Sequence, residues 1–368
     1  MITGITIAAA ILVALANGAN DNFKGVASLY GSGTASYRQA LIWATVTTVL
    51  GSLTALVLSN GMIEAFSGRG LVPSGVVSDQ AFAGAVAIAT AATVALATRF
   101  GFPVSTTHAL IGGLVGAGLL ASPSGVQLAQ LGKAFVAPLL LSPVVAFVIG
   151  AVFCFGVVRM RLAKSPAACL CVETQSLEVQ GGAIVARATS LRIDSTEACA
   201  TDGAVAVATV DASRVAAAAP YAVGGAICFA RALNDTPKIA ALVLGTQLLG
   251  ANASITVVAG AMAAGGLLFS RRVAEKMSHG VATVSPAEGL ASNTAAAGLV
   301  LFASKLGLPV STTHVTCGAL FGAGAANGTA DRSNIVSILT AWVSTLPCAA
   351  ALGAVAYLSL SALRSVLS

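Results

Sequence analysis

A chain of 368 residues with 57% hydrophobic and only 9% charged side chains is not a soluble globular domain. Its 19 Lys and Arg against 13 Asp and Glu leave a net charge of +6, but the basic residues are scattered at the ends of apolar runs, which excludes a nucleic-acid-binding surface. Those runs recur at lengths of about 20 residues, enough to cross a bilayer, so the expected class is an all-α polytopic protein of the cell (plasma or inner) membrane, in contact with lipid on most sides.

Residues 2–19 are apolar and show no basic leader or cleavage site, so they read as a retained first span rather than a signal peptide. They run into Gly18-Ala-Asn-Asp21, with Lys24 three positions on, and a shorter apolar piece reaches about Thr34. Spans are predicted over 39–59 and 81–98, with a loop at 60–80 between them. Next comes Gly101-Phe-Pro-Val-Ser-Thr-Thr-His108. Pro suits the first turn of a helix, so Pro103 is predicted to open a short helix to about Leu120, with Ser105, Thr106 and Thr107 in its first turn. A long span over 134–158 closes the first membrane repeat, residues 1–158.

Residues 159–219 differ. Leu191 and Ile193 alternate with Arg192 and Asp194, and Val205 and Val207 alternate again, which predicts a small, partly β, extramembrane insert. Cys169, Cys171 and Cys199 lie in it without a nearby fourth ligand, so they read as reduced thiols rather than a metal site.

The second membrane repeat, residues 220–368, follows the order of the first. An apolar stretch at 221–233 meets Asn234-Asp-Thr-Pro-Lys238, where Thr236 as N-cap and Pro237 behind it predict a helix start. Spans are predicted over 239–249, 251–270 and 290–304, the octet returns as Gly307-Leu-Pro-Val-Ser-Thr-Thr-His314, and a last apolar stretch covers 335–363. Arg159, Arg161 and Lys164 place the insert in the cytoplasm, and Arg271, Arg272 and Lys276 do the same for the loop at 271–289. The equivalent loop of the first half, 60–80, lacks that basic excess and belongs outside. Equivalent loops on opposite sides require an odd number of crossings per half. The expectation is two inverted-topology repeats with broken or re-entrant helices and about 10–12 membrane segments, an architecture of many secondary transporters.

Asp21 and Asp235 sit in apolar stretches, where a charge costs roughly 2.5–3.5 kcal/mol on insertion scales, so both are functional candidates. Asn20 and Asn234 add carbonyl oxygens beside them, a set suited to a small cation or a proton. Ser105, Thr106, Thr107, Ser311, Thr312 and Thr313 combine hydroxyls with helix N-termini, which suits an oxyanion. Lys24 and Lys238 share a helix face with their Asp; each can balance an anion, neutralise its carboxylate, or reach out to the interface. His108 and His314 either face the site or brace the helices behind it. Gly112, Gly113, Gly116 and Gly118, with Gly318, Gly322 and Gly324, suit close helix contact.

These motifs resemble the inorganic phosphate transporter (PiT) family and its sulfate-carrying relatives. That family's signature is Gly-Ala-Asn-Asp with a further Asn three residues after the Asp, once per half, plus a Ser-Thr-Thr-His run in each half. Gly18-Ala-Asn-Asp21 matches in full, and Ala232-Leu-Asn-Asp235 matches except at the Gly and Ala. The resemblance implies cation-coupled uptake of inorganic phosphate, or alternatively sulfate, by a homodimer, with sodium or a proton as coupling ion and no other cofactor. Carried over, Asn20, Asp21, Asn234 and Asp235 hold the coupling cation and the two Ser-Thr-Thr runs hold the anion. The departure is the second Asn of the signature, which is Lys24 in one half and Lys238 in the other. An ammonium has no oxygen to offer a metal, so the lysines are expected to act as tethered cations in place of sodium. Two inverted copies of one motif argue against an intramembrane enzyme, which needs a single asymmetric nucleophile–base–orienter set, and no catalytic residue is assigned. A passive anion channel is the remaining rival, which accumulation against a gradient would exclude.

Overall fold

A computed structural model describes residues 1–58, 60–159, 168–177, 186–195, 205–210, 212–279 and 285–367. The first half contains α1 (Ile2–Asp21), a 3-10 turn (Lys24–Val26), α2 (Ala27–Gly31), α3 (Tyr37–Leu58), α4 (Asn60–Phe66), α5 (Ser74–Val77), α6 (Gln80–Arg99), α7 (Thr106–Ala121), α8 (Leu128–Leu131), a π turn (Gly132–Val136) and α9 (Ala137–Arg159). The second contains α10 (Ala212–Leu244), α11 (Ala251–Phe269), α12 (Arg271–His279), α13 (Pro286–Lys305), α14 (Thr312–Asn327) and α15 (Arg332–Leu367). Matching the motifs aligns α1 with α10, α3 with α11, α6 with α13, α7 with α14 and α9 with α15.

Six described segments are long and apolar enough to cross a membrane on length and composition alone. They comprise Ile2–Gly31, α3, α6, Leu128–Gly156, α11 and nearly all of α15. The chain is a multi-pass helical membrane protein. Of the remaining repeat members, α10 and α13 are as long but more polar. With 16 residues each, α7 and α14 rise only about 24 Å, less than the roughly 30 Å hydrocarbon core.

Between the halves, β1 (Ala168–Leu177), β2 (Ala186–Ser195) and β3 (Val205–Val210) form an antiparallel sheet in the order β2-β1-β3. The alternating Leu191–Asp194 stretch lies in β2 and Val205 opens β3. Arg161, Lys164 and Cys199 lie outside the described residues.

Three boundaries differ from the sequence reading. The 60–80 loop holds two short helices, α4 and α5. The insert ends earlier than 219, because α10 is helical from Ala212. Most consequentially, no helix starts at Thr236. α10 runs unbroken through Asn234, Asp235, Thr236 and Pro237 to Leu244. The Thr236 hydroxyl does not cap; it meets the Ser52 hydroxyl at 2.8 Å and donates to the Met262 sulfur, so neighbouring helices take the group that local sequence assigned to an N-cap. Only the first half is broken at its Asn-Asp motif, by the 3-10 turn after Asp21.

The halves are interleaved. α7 packs on α15, the last helix of the other half, and α14 packs on α9. Glycines allow both approaches: a Cβ on Gly116 would sit 1.9 Å from the Ala350 carbonyl oxygen, and one on Gly322 2.0 Å from that of Phe147. Backbone on both sides cannot yield. Gly116→Val and Gly322→Val are each expected to cost at least ~3 kcal/mol and to remove the monodisperse peak in size-exclusion chromatography. Gly298→Val, with nothing within 4 Å of its Cβ, is the control that keeps the peak.

Long-range contacts sort the loops to two ends. At one end, Arg364 near the C-terminus meets Asp79 at 3.1 Å, and Gln80 reaches the Thr246 carbonyl. At the other, Tyr30 bonds Glu275, Tyr221 bonds the Thr34 carbonyl, and Arg272 bonds the Arg99 carbonyl. Thus the 60–80 loop shares an end with the C-terminus, and the 271–279 helix lies at the opposite end.

Candidate functional site

Each octet begins as a helix stop. α6 ends in a Schellman turn: Gly101, at φ +76, donates to the Thr98 carbonyl, and Phe102 donates back to Ala97. α13 ends identically, with Gly307 at φ +66 donating to Ser304 and Leu308 donating to Ala303. The chain then runs extended, and the next helix begins at Thr106 or Thr312, not at the proline. Ser105 and Ser311 are the N-caps, each accepting the backbone N–H of the following His at 3.2 Å. The proline keeps the extended arm out of the helix, and the serine hydroxyl offers the stronger local start signal.

The two extended arms cross at the centre of the molecule, beside α1 and α10. Lys24 Nζ bonds Asp21 of its own half, the Asn20 Oδ1 at 2.9 Å, the Val104 carbonyl at 3.0 Å and, from the opposite half, the Thr313 hydroxyl at 2.6 Å. Lys238 Nζ repeats the pattern with Asp235 Oδ1 at 3.1 Å, the Val310 carbonyl at 3.0 Å and the Thr107 hydroxyl of the opposite half at 2.9 Å. Thr313 also donates to the Val104 carbonyl. Both lysines are 1% exposed, so neither reaches the interface. Each ammonium sits between a carboxylate, a backbone carbonyl and a threonine hydroxyl; Lys24 adds the Asn20 amide oxygen, whereas Asn234 Oδ1 has no partner among the described residues.

The remaining candidates join the same cluster. Thr312 donates to Asp235 Oδ2 at 3.3 Å. Thr106 accepts from the amide of Asn17, which also donates to Asp21 Oδ2 and lies 3.5 Å from Asp235 Oδ2. Asn20 donates to Thr98 and the Phe102 carbonyl and accepts the Val104 N–H, pinning the first arm. Asn234 donates to Ser304, the counterpart of Thr98. The two imidazoles meet: His108 and His314 have ring centroids 4.5 Å apart, and His314 stacks at 3.8 Å on Trp342, whose indole N–H holds the Pro103 carbonyl. His108 Nδ1 and His314 Nε2 have no hydrogen-bond partner among the described residues. The histidines therefore both brace the crossing and carry unused nitrogens.

Sequence reasoning missed Arg231. It lies in the stretch read as apolar, yet it is 1% exposed and donates to the Asn17 side-chain Oδ1 and the Thr48 hydroxyl. The signal was present: a charge inside a span, the same argument that singled out Asp21. Its counterpart in the first half is Asn17, so at this position the repeats differ in charge and the two counterparts bond one another across the seam. The Thr48 hydroxyl bonds on to Asn22, which bonds Thr45, so Arg231 ties α10 to α1 and α3.

This arrangement can hold an oxyanion with two ammonium groups and the hydroxyls beside them. In the geometry described, those donors are engaged with the protein's own oxygens.

Comparison with known proteins gives one family match, two relatives and one solved structure. The family model described as "Phosphate transporter family" matches residues 17–353. The chain is 25% identical over 409 residues to "Inorganic phosphate transporter 2-1, chloroplastic" of Arabidopsis thaliana, covering 92% of this chain and 68% of that one. It is 26% identical over 363 residues to a Rhizobium meliloti protein named "Probable low-affinity inorganic phosphate transporter", covering 95% and 94% of the two chains. A solved structure titled "The sodium-dependent phosphate transporter" shares the fold, with a TM-score of 0.74 and 20% identity over 98% of this chain and 99% of that one.

Proposed function

The chain belongs to the phosphate transporter family, and from that premise we propose that it imports inorganic phosphate across the cell membrane, holding the anion between the two Ser-Thr-Thr arms. Lys24 and Lys238 stand in for bound sodium, and a proton is the coupling ion. The observation that carries this reading is the doubled bridge of Lys24 to Asp21 and Thr313, and of Lys238 to Asp235 and Thr107. A cation fixed to each carboxylate leaves no charge there for a metal to balance, while its remaining donors face the opposite arm's hydroxyls.

The mechanism follows from which contacts an anion can replace. Ammonium and hydroxyl groups both donate to phosphate oxygens, and charge-assisted hydrogen bonds are about twice as strong as neutral ones. Phosphate thus competes for Lys Nζ with the Val104 and Val310 carbonyls, because an anionic acceptor pairs with the ammonium more strongly than a neutral carbonyl does. Each lysine touches both arms, so releasing one contact loosens the crossing between the halves. Rocking of one interleaved set against the other then exposes the site to alternate sides. Phosphate that still carries protons also needs acceptors, and Asp21, Asp235 and the unused histidine nitrogens supply them; sulfate needs donors only. The chain is accordingly a transporter, not an enzyme.

Purified protein in liposomes tests this. Labelled phosphate is expected to accumulate without sodium when an inward proton gradient is imposed, and labelled sulfate to enter poorly. Preference for sulfate, or uptake only with a sodium gradient, would overturn the assignment. Orientation is tested in intact cells with an impermeant thiol reagent. Arg69→Cys, whose position is exposed at 72%, is expected to label, and Cys169, Cys171 and Cys199 of the insert to label only after permeabilisation. The reverse pattern refutes the placement of the insert in the cytoplasm.

A further inference from the structure

A groove of about 780 Å3 opens on the outside of the helix assembly between α1, α6 and the end of α11. Its walls are apolar, with Leu12 and Phe269 exposed at 55% and 60%, and small residues such as Ala16, Ala92 and Ala95 form its floor. Along α1 it extends from Ala9 to Ala19, about 15 Å at the α-helical rise and so half of the roughly 30 Å hydrocarbon core. The groove is one leaflet deep.

Its mouth is cationic. Arg99, Arg271 and Arg272 line that end, held together because the Arg272 guanidinium donates to the Arg99 carbonyl at 2.6 Å. Among the described residues Arg99 makes no ion pair. Arg271, 80% exposed, lies over the Tyr37 ring at 5.7 Å, and its one ion pair among the described residues is to Glu275 at 4.0 Å, a carboxylate shared with His279. Three guanidinium groups at the end of an apolar slot match a molecule with an anionic head and an apolar tail.

We infer that this groove binds a phospholipid with an anionic headgroup from the leaflet on the arginine side, its phosphate on Arg99, Arg271 and Arg272 and one acyl chain between α1 and α6. Charge complementarity and the one-leaflet depth together select this occupant. A free anion would use the arginines but not the slot, and a second copy of the chain would cover the slot but bring no anion. The lipid braces α1 just ahead of Asn20 and Asp21, which couples the surrounding membrane to the crossing without touching it. The arginine end is the cytoplasmic end in the proposed orientation, where anionic lipid attracts basic residues.

The test uses the full chain purified in zwitterionic phosphatidylcholine and titrated with phosphatidylglycerol of the same acyl chains. Retained lipid is counted by native mass spectrometry and stability is followed by thermal unfolding. Phosphatidylglycerol is expected to be retained about tenfold to a hundredfold over phosphatidylcholine and to raise the unfolding temperature. Arg99→Gln with Arg271→Gln is expected to erase the headgroup preference, and Ala92→Trp, which fills the slot at an exposed position and leaves the arginines in place, to erase retention. Equal retention of the two lipids overturns the proposal. So does protection by inorganic phosphate alone that equals the effect of phosphatidylglycerol, or a disulfide-linked dimer formed through Ala92→Cys in lipid-replete samples.

Discussion

Replacing both lysines, Lys24→Asn with Lys238→Asn, is expected to cut phosphate uptake in sodium-free medium at least about a hundredfold. Each lysine makes charge-assisted bonds to a carboxylate of its own half and a hydroxyl of the other, and both ammonium groups are buried. Such bonds are worth about 1.5–3 kcal/mol each, and a tenfold change corresponds to about 1.4 kcal/mol. Removing one partner of a buried pair also leaves its carboxylate uncompensated, at about 3–5 kcal/mol. The double variant is expected to regain uptake when sodium is added, because Asn returns amide oxygens to the places the ammonium groups held. Each single variant, with one bridge intact, should show an intermediate loss. Size-exclusion chromatography establishes that the variants remain assembled. Normal sodium-free uptake by the assembled double variant, or wild-type uptake that climbs steeply with sodium at fixed pH, contradicts the tethered-cation reading.

Arg231→Met is expected to raise the KM for phosphate by about tenfold to a hundredfold while the protein still folds. Lys24 with Asp21 and Lys238 with Asp235 form two ion pairs, so Arg231 is the buried cation left without a carboxylate contact among the described residues. It bonds the neutral Asn17 and Thr48, and its Nε has no partner there. A buried cation in this position raises the affinity of the surrounding seam for an anion, worth roughly one to two powers of ten at about 1.4 kcal/mol each. It also fixes the Asn17 side chain, whose amide points at Asp21 and Thr106. Arg231→Lys keeps the charge, but a compact ammonium cannot span Asn17 and Thr48 as a planar guanidinium does, so it should recover KM only in part. If Arg231→Met leaves KM unchanged, the guanidinium is structural only.

Several features of the site were legible in sequence because they rest on local chemistry. The glycine stops at 101 and 307, the proline-led arms and the hydroxyl runs all act through near neighbours, and the structure forms them with the helix start displaced from the proline to Thr106 and Thr312. Asp21 and Lys24 face one another because positions three apart share a helix side. The helix start at Thr236 failed for the same local reason. A Thr-Pro pair reads as a cap when its neighbours are water. Here Ser52 and Met262 surround the hydroxyl, and α10 continues. Arg231 escaped notice because a single charge among apolar residues weighs little in a hydropathy reading.

The sequence by itself determined the membrane class, the two inverted repeats and the two Asp-Lys pairs, whose charges have to be buried. Composition and periodicity carry that information, since every span must satisfy its own backbone and bury its own charges. Only the tertiary structure decided how the repeats engage. α7 packs on α15 and α14 on α9, Lys24 reaches Thr313, Lys238 reaches Thr107, and Arg231 bonds Asn17. Each of these contacts joins residues far apart in the chain, and nothing in either copy of the motif states which copy its donors will meet. That choice is made when glycine faces allow two helices to touch, because burial in lipid makes any donor without a partner costly and the crossing of the two arms is where partners are found.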